Sequence, residues 1–102
     1  MPIIVTYNPD KTILLASLRA LLSQVKTIVI VDNGSHSSVN EVIQSLELEK
    51  SGNINFLALE YNYGLGKAYN AGIAIARNLE AAFVLLMDQY SIPDPDMLRI
   101  LR

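Results

Sequence analysis

The chain has no cysteine, no tryptophan and a single histidine among its 102 residues. Without cysteine there are no disulfides and no thiolate metal sites, which fits a reducing cytoplasm. One histidine, His36 in a serine-rich loop, has no second imidazole or thiol nearby in sequence to make a metal site. With no G-x-S-x-G motif it forms no Ser-His-Asp arrangement either, and it reads as a surface residue. Charge is also sparse, at 18% of residues with a net value of −2 and no basic run. That argues against a nucleic-acid footprint. No apolar stretch approaches the roughly 20 residues that cross a bilayer. The first residues lack the basic segment and cleavage site of a signal peptide. A soluble cytoplasmic domain is the expectation. What the chain does have is hydrophobic residues, 51% of the total, enough for one compact domain with a modest core.

Those residues fall into four short runs, each ending in a polar, small-residue cluster. Ile3-Ile4-Val5 leads to Thr6-Tyr7-Asn8-Pro9-Asp10, and Ile28 to Val31 leads to Asp32-Asn33-Gly34-Ser35. Ile54 to Leu59 leads to Tyr61-Asn62-Tyr63-Gly64-Leu65-Gly66, and Phe83 to Met87 leads to Asp88-Gln89-Tyr90-Ser91. Short continuous apolar runs predict strands buried on both faces of a parallel sheet. Helical spacing fills the gaps. One helix follows an Asp10 N-cap, with Ile13, Leu14, Ser17, Leu18, Leu21 and Leu22 on one face. A second, capped by Ser37 or Ser38, presents Val39, Val42, Ile43 and Leu46 and stops at Ser51-Gly52-Asn53. A third opens near Gly66-Lys67 and carries Ala68, Ala71, Gly72, Ile75 and Leu79. A fourth starts after Pro93. The predicted fold is α/β, a Rossmann-like parallel sheet of about four strands with flanking helices and right-handed crossovers. All four polar clusters then meet at the carboxyl edge of the sheet, where ligands bind in such folds.

Each cluster has a plain structural reading beside a chemical one. Asp32-Asn33-Gly34-Ser35 is a turn with Gly34 at positive φ, and it also offers a carboxylate able to accept a ring N–H. Tyr61 to Lys67 fails as a dinucleotide fingerprint, because Tyr69 occupies the third glycine position. It also fails as a P-loop, because Ala68 replaces the hydroxyl residue. What survives is a turn that brings backbone N–H groups and Lys67 to a helix N-terminus, where phosphate oxygens are favoured. Asp88 after a buried strand calls for a metal or hydroxyl partner, since an unpaired buried charge is costly. Asp94 and Asp96, in Pro93-Asp94-Pro95-Asp96, read as turn and helix cap. Tyr7, Tyr63 and Tyr90 lie at the ligand edge, where a ring can stack on a base.

Taken together, Val5-Thr6-Tyr7-Asn8, Ile30 to Ser35, Asn62-x-Gly64-x-Gly66-x-Ala68-x-Asn70-x-Gly72 and Leu86-Met87-Asp88-Gln89-x-Ser91 resemble family 2 glycosyltransferases of the GT-A fold, most closely the rhamnosyltransferase-like branch. The resemblance covers nearly the whole chain. It implies a site for a pyrimidine nucleotide-diphosphate sugar, of UDP or dTDP type, used in polysaccharide biosynthesis. Thr6, Tyr7 and Asn8 would line the nucleobase and ribose pocket, with Asp32 taking the ring N–H. Asn62, Gly64, Lys67 and Asn70 would lie near ribose and diphosphate. Asp88 matches the first acid of the D-x-D motif and would approach ribose and a Mg²⁺ or Mn²⁺ ion.

Two departures qualify that expectation. Tyr90 stands where the second D-x-D acid would anchor the metal, so a cation held by Asp88 is expected to be weak. The chain also ends one helix beyond D-x-D, without the family's acceptor half or its base. The expectation for residues 1–102 is therefore a donor-binding half-domain, inactive alone, with no catalytic residue of its own. Its unpaired sheet edge would favour homo-oligomers, and it would work in the cytoplasm or at the inner face of the membrane. The alternative is a non-catalytic interaction or regulatory module that keeps the fold. A receiver-like phosphoacceptor domain fits less well, because the acidic pair after the first strand is missing.

Overall fold

The computed structural model describes residues 1–37, 39–48 and 53–89. They form β1 (Pro2–Thr6), α1 (Lys11–Leu22), β2 (Thr27–Asp32), α2 (Asn40–Leu48), β3 (Asn53–Ala58), α3 (Leu65–Asn78) and β4 (Leu85–Asp88). The four strands are parallel in the order β3-β2-β1-β4. Strand order reverses at β1. Helices α1 and α2 cover one face and α3 the other, as crossovers of one hand require for that order. Alternate residues point to opposite faces. Ile4, Ile28 and Ile30 accordingly pack with Leu14, Leu18, Leu21, Val42 and Leu46, while Ile3, Val5, Val29 and Val31 pack with Ala68 and Ala76.

Local chemistry sets the helix ends. Asp10 caps α1 as expected, its carboxylate accepting the Ile13 N–H at 3.0 Å. The small residues of α3 let it approach the sheet closely. Gly72 is buried, and a methyl group there would run into the Ile3 side chain.

Four expectations need correction. Burial on both faces holds for β1 and β2, the central strands, but β3 is only partly buried because it lies at an edge. The last strand begins at Leu85, and Phe83 and Val84 are exposed approaches to it. Ile13 stands outside the buried stripe of α1, at 39% exposure. Helix α2 opens at Asn40, with Val39 rather than Ser37 supplying the first helical carbonyl. The Ser38 cap, the Ser51-Gly52 stop, Tyr90, Asp94, Asp96 and the helix after Pro93 lie outside the described residues.

Candidate functional site

Thr6, Asp32 and Asp88 are the last residues of β1, β2 and β4, so the carboxyl edge gathers them as the parallel topology demands. The centre of this edge is a buried knot around Asp32. Its Oδ1 accepts the Thr6 hydroxyl at 2.7 Å and also the Ser35 hydroxyl, while Oδ2 accepts the Ser35 N–H at 3.0 Å. Ser35 Oγ in turn accepts the Asn8 N–H at 2.8 Å, and Asn8 Oδ1 accepts the His36 N–H at 2.8 Å. The loops after β1 and β2 are thereby one hydrogen-bonded unit. Asn8 takes a positive φ of 45° to reach this position.

Asn33 performs the same service toward the third loop. Its N–H donates to the Thr6 carbonyl at 2.7 Å, its Nδ2 to Asn62 Oδ1 at 3.0 Å, and its Oδ1 accepts the Tyr63 N–H at 3.0 Å. Asn62 Oδ1 also accepts the Gly64 N–H at 2.9 Å, which shapes the approach to α3. Gly34 makes this junction possible. With φ at +83°, its missing Cβ would lie 2.5 Å from the Tyr61 carbonyl carbon and 2.7 Å from the Asn62 nitrogen.

Thr6, Tyr7, Asn8, Asp32, Asn62 and Gly64 therefore belong to one connected set of loops. Lys67 and Asn70 lie on the first two turns of α3, both exposed and outside that hydrogen-bonded set. Asp88 ends β4, opposite Val5. Three contributors are additional to the residues expected from sequence: Asn33, Ser35 and Gln89. The first two sit in the Asp-Asn-Gly-Ser turn that sequence reading singled out, so their polar side chains next to Asp32 were the available signal. Gln89 gave none. His36, read as an ordinary surface residue, is exposed but holds its ring 6.3 Å from the Tyr7 ring at the site's rim.

A hollow of about 500 Å³ lies at the opposite, amino edge, lined by Thr27, Glu47, Asn53, Ile54, Asn55 and Leu79. It touches none of the connected loops. In open parallel sheets the carboxyl edge at the order reversal is the ligand position. Here that reversal lies between β2 and β4 about β1, beside the Asp32 knot, and we place the candidate site there on chemistry rather than on volume.

The described part of this edge does not by itself assemble a ligand set for a divalent cation. Such an ion prefers six or more oxygen ligands, most effectively carboxylates. Among the described residues no three His, Cys, Asp or Glu side chains gather to hold one. Asp32 already accepts three hydrogen bonds from Thr6 and Ser35, and two positions after Asp88 the sequence carries Tyr90 instead of a second acid.

A four-stranded parallel sheet with its polar loops joined at the carboxyl edge matches the N-terminal, Rossmann-like part of the GT-A fold. The chain matches the glycosyl transferase family 2 over residues 3–101 and belongs to that family. It is similar to the dTDP-rhamnosyl transferase RfbF of Shigella flexneri, with 30% identity over 93 residues that cover 87% of this chain and 28% of that protein. Its structure is similar to that of S. aureus TarS, with a TM-score of 0.81 and 26% identity, covering 98% of this chain and 18% of TarS. TarS residues 1–349 in complex with UDP share the fold, with a TM-score of 0.74 and 23% identity, over 99% of this chain and 31% of that one. The chain thus spans less than a third of the length of these relatives.

Proposed function

We propose that this chain is the donor-binding portion of a rhamnosyltransferase-like glycosyltransferase, taking a pyrimidine nucleotide-diphosphate sugar of UDP or dTDP type. The observation that carries the reading is the Asp32 knot at the sheet's order reversal, in a chain of this family. Asp32 is 6% exposed. Its Oδ2 accepts only the Ser35 N–H among the described residues, and an ionised carboxylate oxygen has capacity for a second donor. A uracil or thymine ring N–H is such a donor, whereas adenine presents an acceptor nitrogen at the corresponding edge. Tyr7, with its ring at the rim, supplies the stacking face, and Thr6 and Asn8 hold the pocket wall. Asn62, Gly64, Lys67 and Asn70 serve the ribose and diphosphate side, where the N-terminus of α3 favours negative charge.

In sugar transfer, the donor portion holds the nucleotide so that the departing diphosphate is stabilised while a base elsewhere activates the acceptor hydroxyl. A divalent metal at Asp88 would add electrostatic stabilisation, a contribution expected to be weak with Tyr90 in the sequence position of the second acid. Residues 1–102 are proposed to act as a donor half-domain, inactive alone, in polysaccharide biosynthesis on the cytoplasmic side of the membrane. No helix among the described residues is long and apolar enough to cross a membrane. Self-association through an open sheet edge belongs to the same reading. The test is ligand-observed NMR with UDP, dTDP and ADP on the 102-residue chain. Preference for the two pyrimidine diphosphates is expected. Equal binding of all three would overturn the assignment and favour a non-catalytic module, the reading to which Tyr90 lends support.

A further inference from the structure

Where β1 and β4 part at the carboxyl edge, a side chain takes over from the backbone. The parallel pairing of these strands runs from Pro2 opposite Leu85 to Val5 opposite Asp88 and stops there. Alternate residues of a strand turn their N–H and C=O toward the same neighbour. After Val5, the next residue whose backbone faces β4 is Tyr7, one past the end of β1. Its N–H donates to Gln89 Oε1 at 2.7 Å, and its carbonyl accepts from Gln89 Nε2 at 3.1 Å. The two bonds fix the orientation of the amide, because Tyr7 offers one donor and one acceptor. Gln89 itself is only 8% exposed. On the other side of β1 the backbone continues without such help, with the Asn33 N–H donating to the Thr6 carbonyl.

We propose that Gln89 is a positioning residue for the nucleobase wall. Its carboxamide imitates a peptide group and completes the Tyr7 rung, so β1 and β4 separate while the Tyr7 backbone stays fixed. The requirement is narrow. Glutamine is the side chain that carries both a donor and an acceptor on a stem long enough to reach a neighbouring strand; glutamate at neutral pH lacks the donor, and asparagine is one methylene short. The end of β4 receives a second side-chain bond, from the Tyr69 hydroxyl of α3 donating to the Met87 carbonyl at 3.0 Å. The Tyr7 backbone, from which the ring projects, is therefore tied to the end of β4. This inference rests on the nucleobase reading of Tyr7.

A double-mutant cycle on the 102-residue chain tests it, with UDP affinity read by ligand-observed NMR. Gln89→Met keeps the length and removes both hydrogen bonds. It should weaken UDP binding about tenfold. Tyr7→Ala should weaken it too, but in the Tyr7→Ala background the Gln89→Met change should cost less than about twofold, because no ring remains to be positioned. A role confined to general folding would weaken UDP binding equally in both backgrounds, and that additivity would overturn the proposal. So would unchanged affinity in Gln89→Met. If Tyr7→Ala itself leaves UDP binding intact, the nucleobase reading fails and this inference with it, a result distinct from the other two. Should Gln89→Met unfold, Gln89→Glu, which keeps the acceptor and loses the donor, carries the same cycle.

Discussion

At the scale of single residues, the proposed binding role of Asp32 falls on a group that the structure also uses. Its carboxylate accepts three hydrogen bonds from Thr6 and Ser35, so removing it strands these donors as well as removing the proposed acceptor for the ring N–H. Asp32→Ala should destabilise the fold by about 3 kcal/mol, the cost of leaving such groups unpaired plus the lost charge-assisted bonds. Asp32→Asn is the better probe. A flipped amide can still meet the Thr6 and Ser35 hydroxyls, so thermal unfolding should shift by only about 1 kcal/mol. Pyrimidine preference should nonetheless fall, since the negative charge that favours the ring N–H is gone. Retained preference in Asp32→Asn would remove Asp32 from the base pocket. Tyr90 poses the converse question. A phenol with a pKa near roughly 10 is neutral at pH 7 and makes a poor hard-cation ligand. Nucleotide binding should depend little on Mn²⁺ in the native chain and clearly on Mn²⁺ after Tyr90→Asp, as titrations with and without the ion would show. Strong dependence in the native chain would mean that Asp94 or Asp96 contributes after all.

At the scale of elements, the decisive contacts are those where small residues let backbones meet. Gly72 brings α3 against Ile3 and Val31 in the core of the sheet. Gly72→Ala gains helix propensity but forces its methyl into the buried Ile3 side chain. Overpacking of this kind should outweigh the propensity gain and destabilise by about 1–3 kcal/mol in a denaturant melt. A stabilised variant would show that α3 can lift from the sheet without cost. Much of this architecture is legible in the sequence. The runs around Ile4 and Val29 are uninterrupted because β1 and β2 are covered on both faces, and Asp10 is a readable cap because its partner is three residues away. Phe83 and Val84 mislead because an apolar pair looks the same whether a helix covers it or not. The Gln89 clamp is illegible for another reason. Its partners are backbone atoms 82 residues distant, and a main-chain partner leaves no mark on the sequence. Asn33 falls between these cases, visible as part of a turn but not as the tie to Asn62 and Tyr63.

At the scale of the whole molecule, the asymmetry of the sheet predicts where association would occur. Strand β4 lies at one end of the order β3-β2-β1-β4, and among the described residues no strand pairs with its outer edge. Leu86 shares the α3 side of the sheet with Ile3, its partner in register, yet remains 47% exposed, and Val84 and Phe83 extend the apolar surface at 43% and 83%. The opposite edge is more polar, with Asn53 and Asn55 in β3. An open strand edge next to exposed apolar side chains pairs with other chains unless something blocks it. Sedimentation at high micromolar concentration should therefore show dimers or larger species built through β4. Leu86→Lys places a charge on that surface without entering the Asp32 knot, so it should shift the population toward monomer while leaving pyrimidine nucleotide affinity within about twofold, the spread expected of independent sites. A clean monomer for the native chain, or an oligomer indifferent to Leu86→Lys, would rule out β4 as the contact.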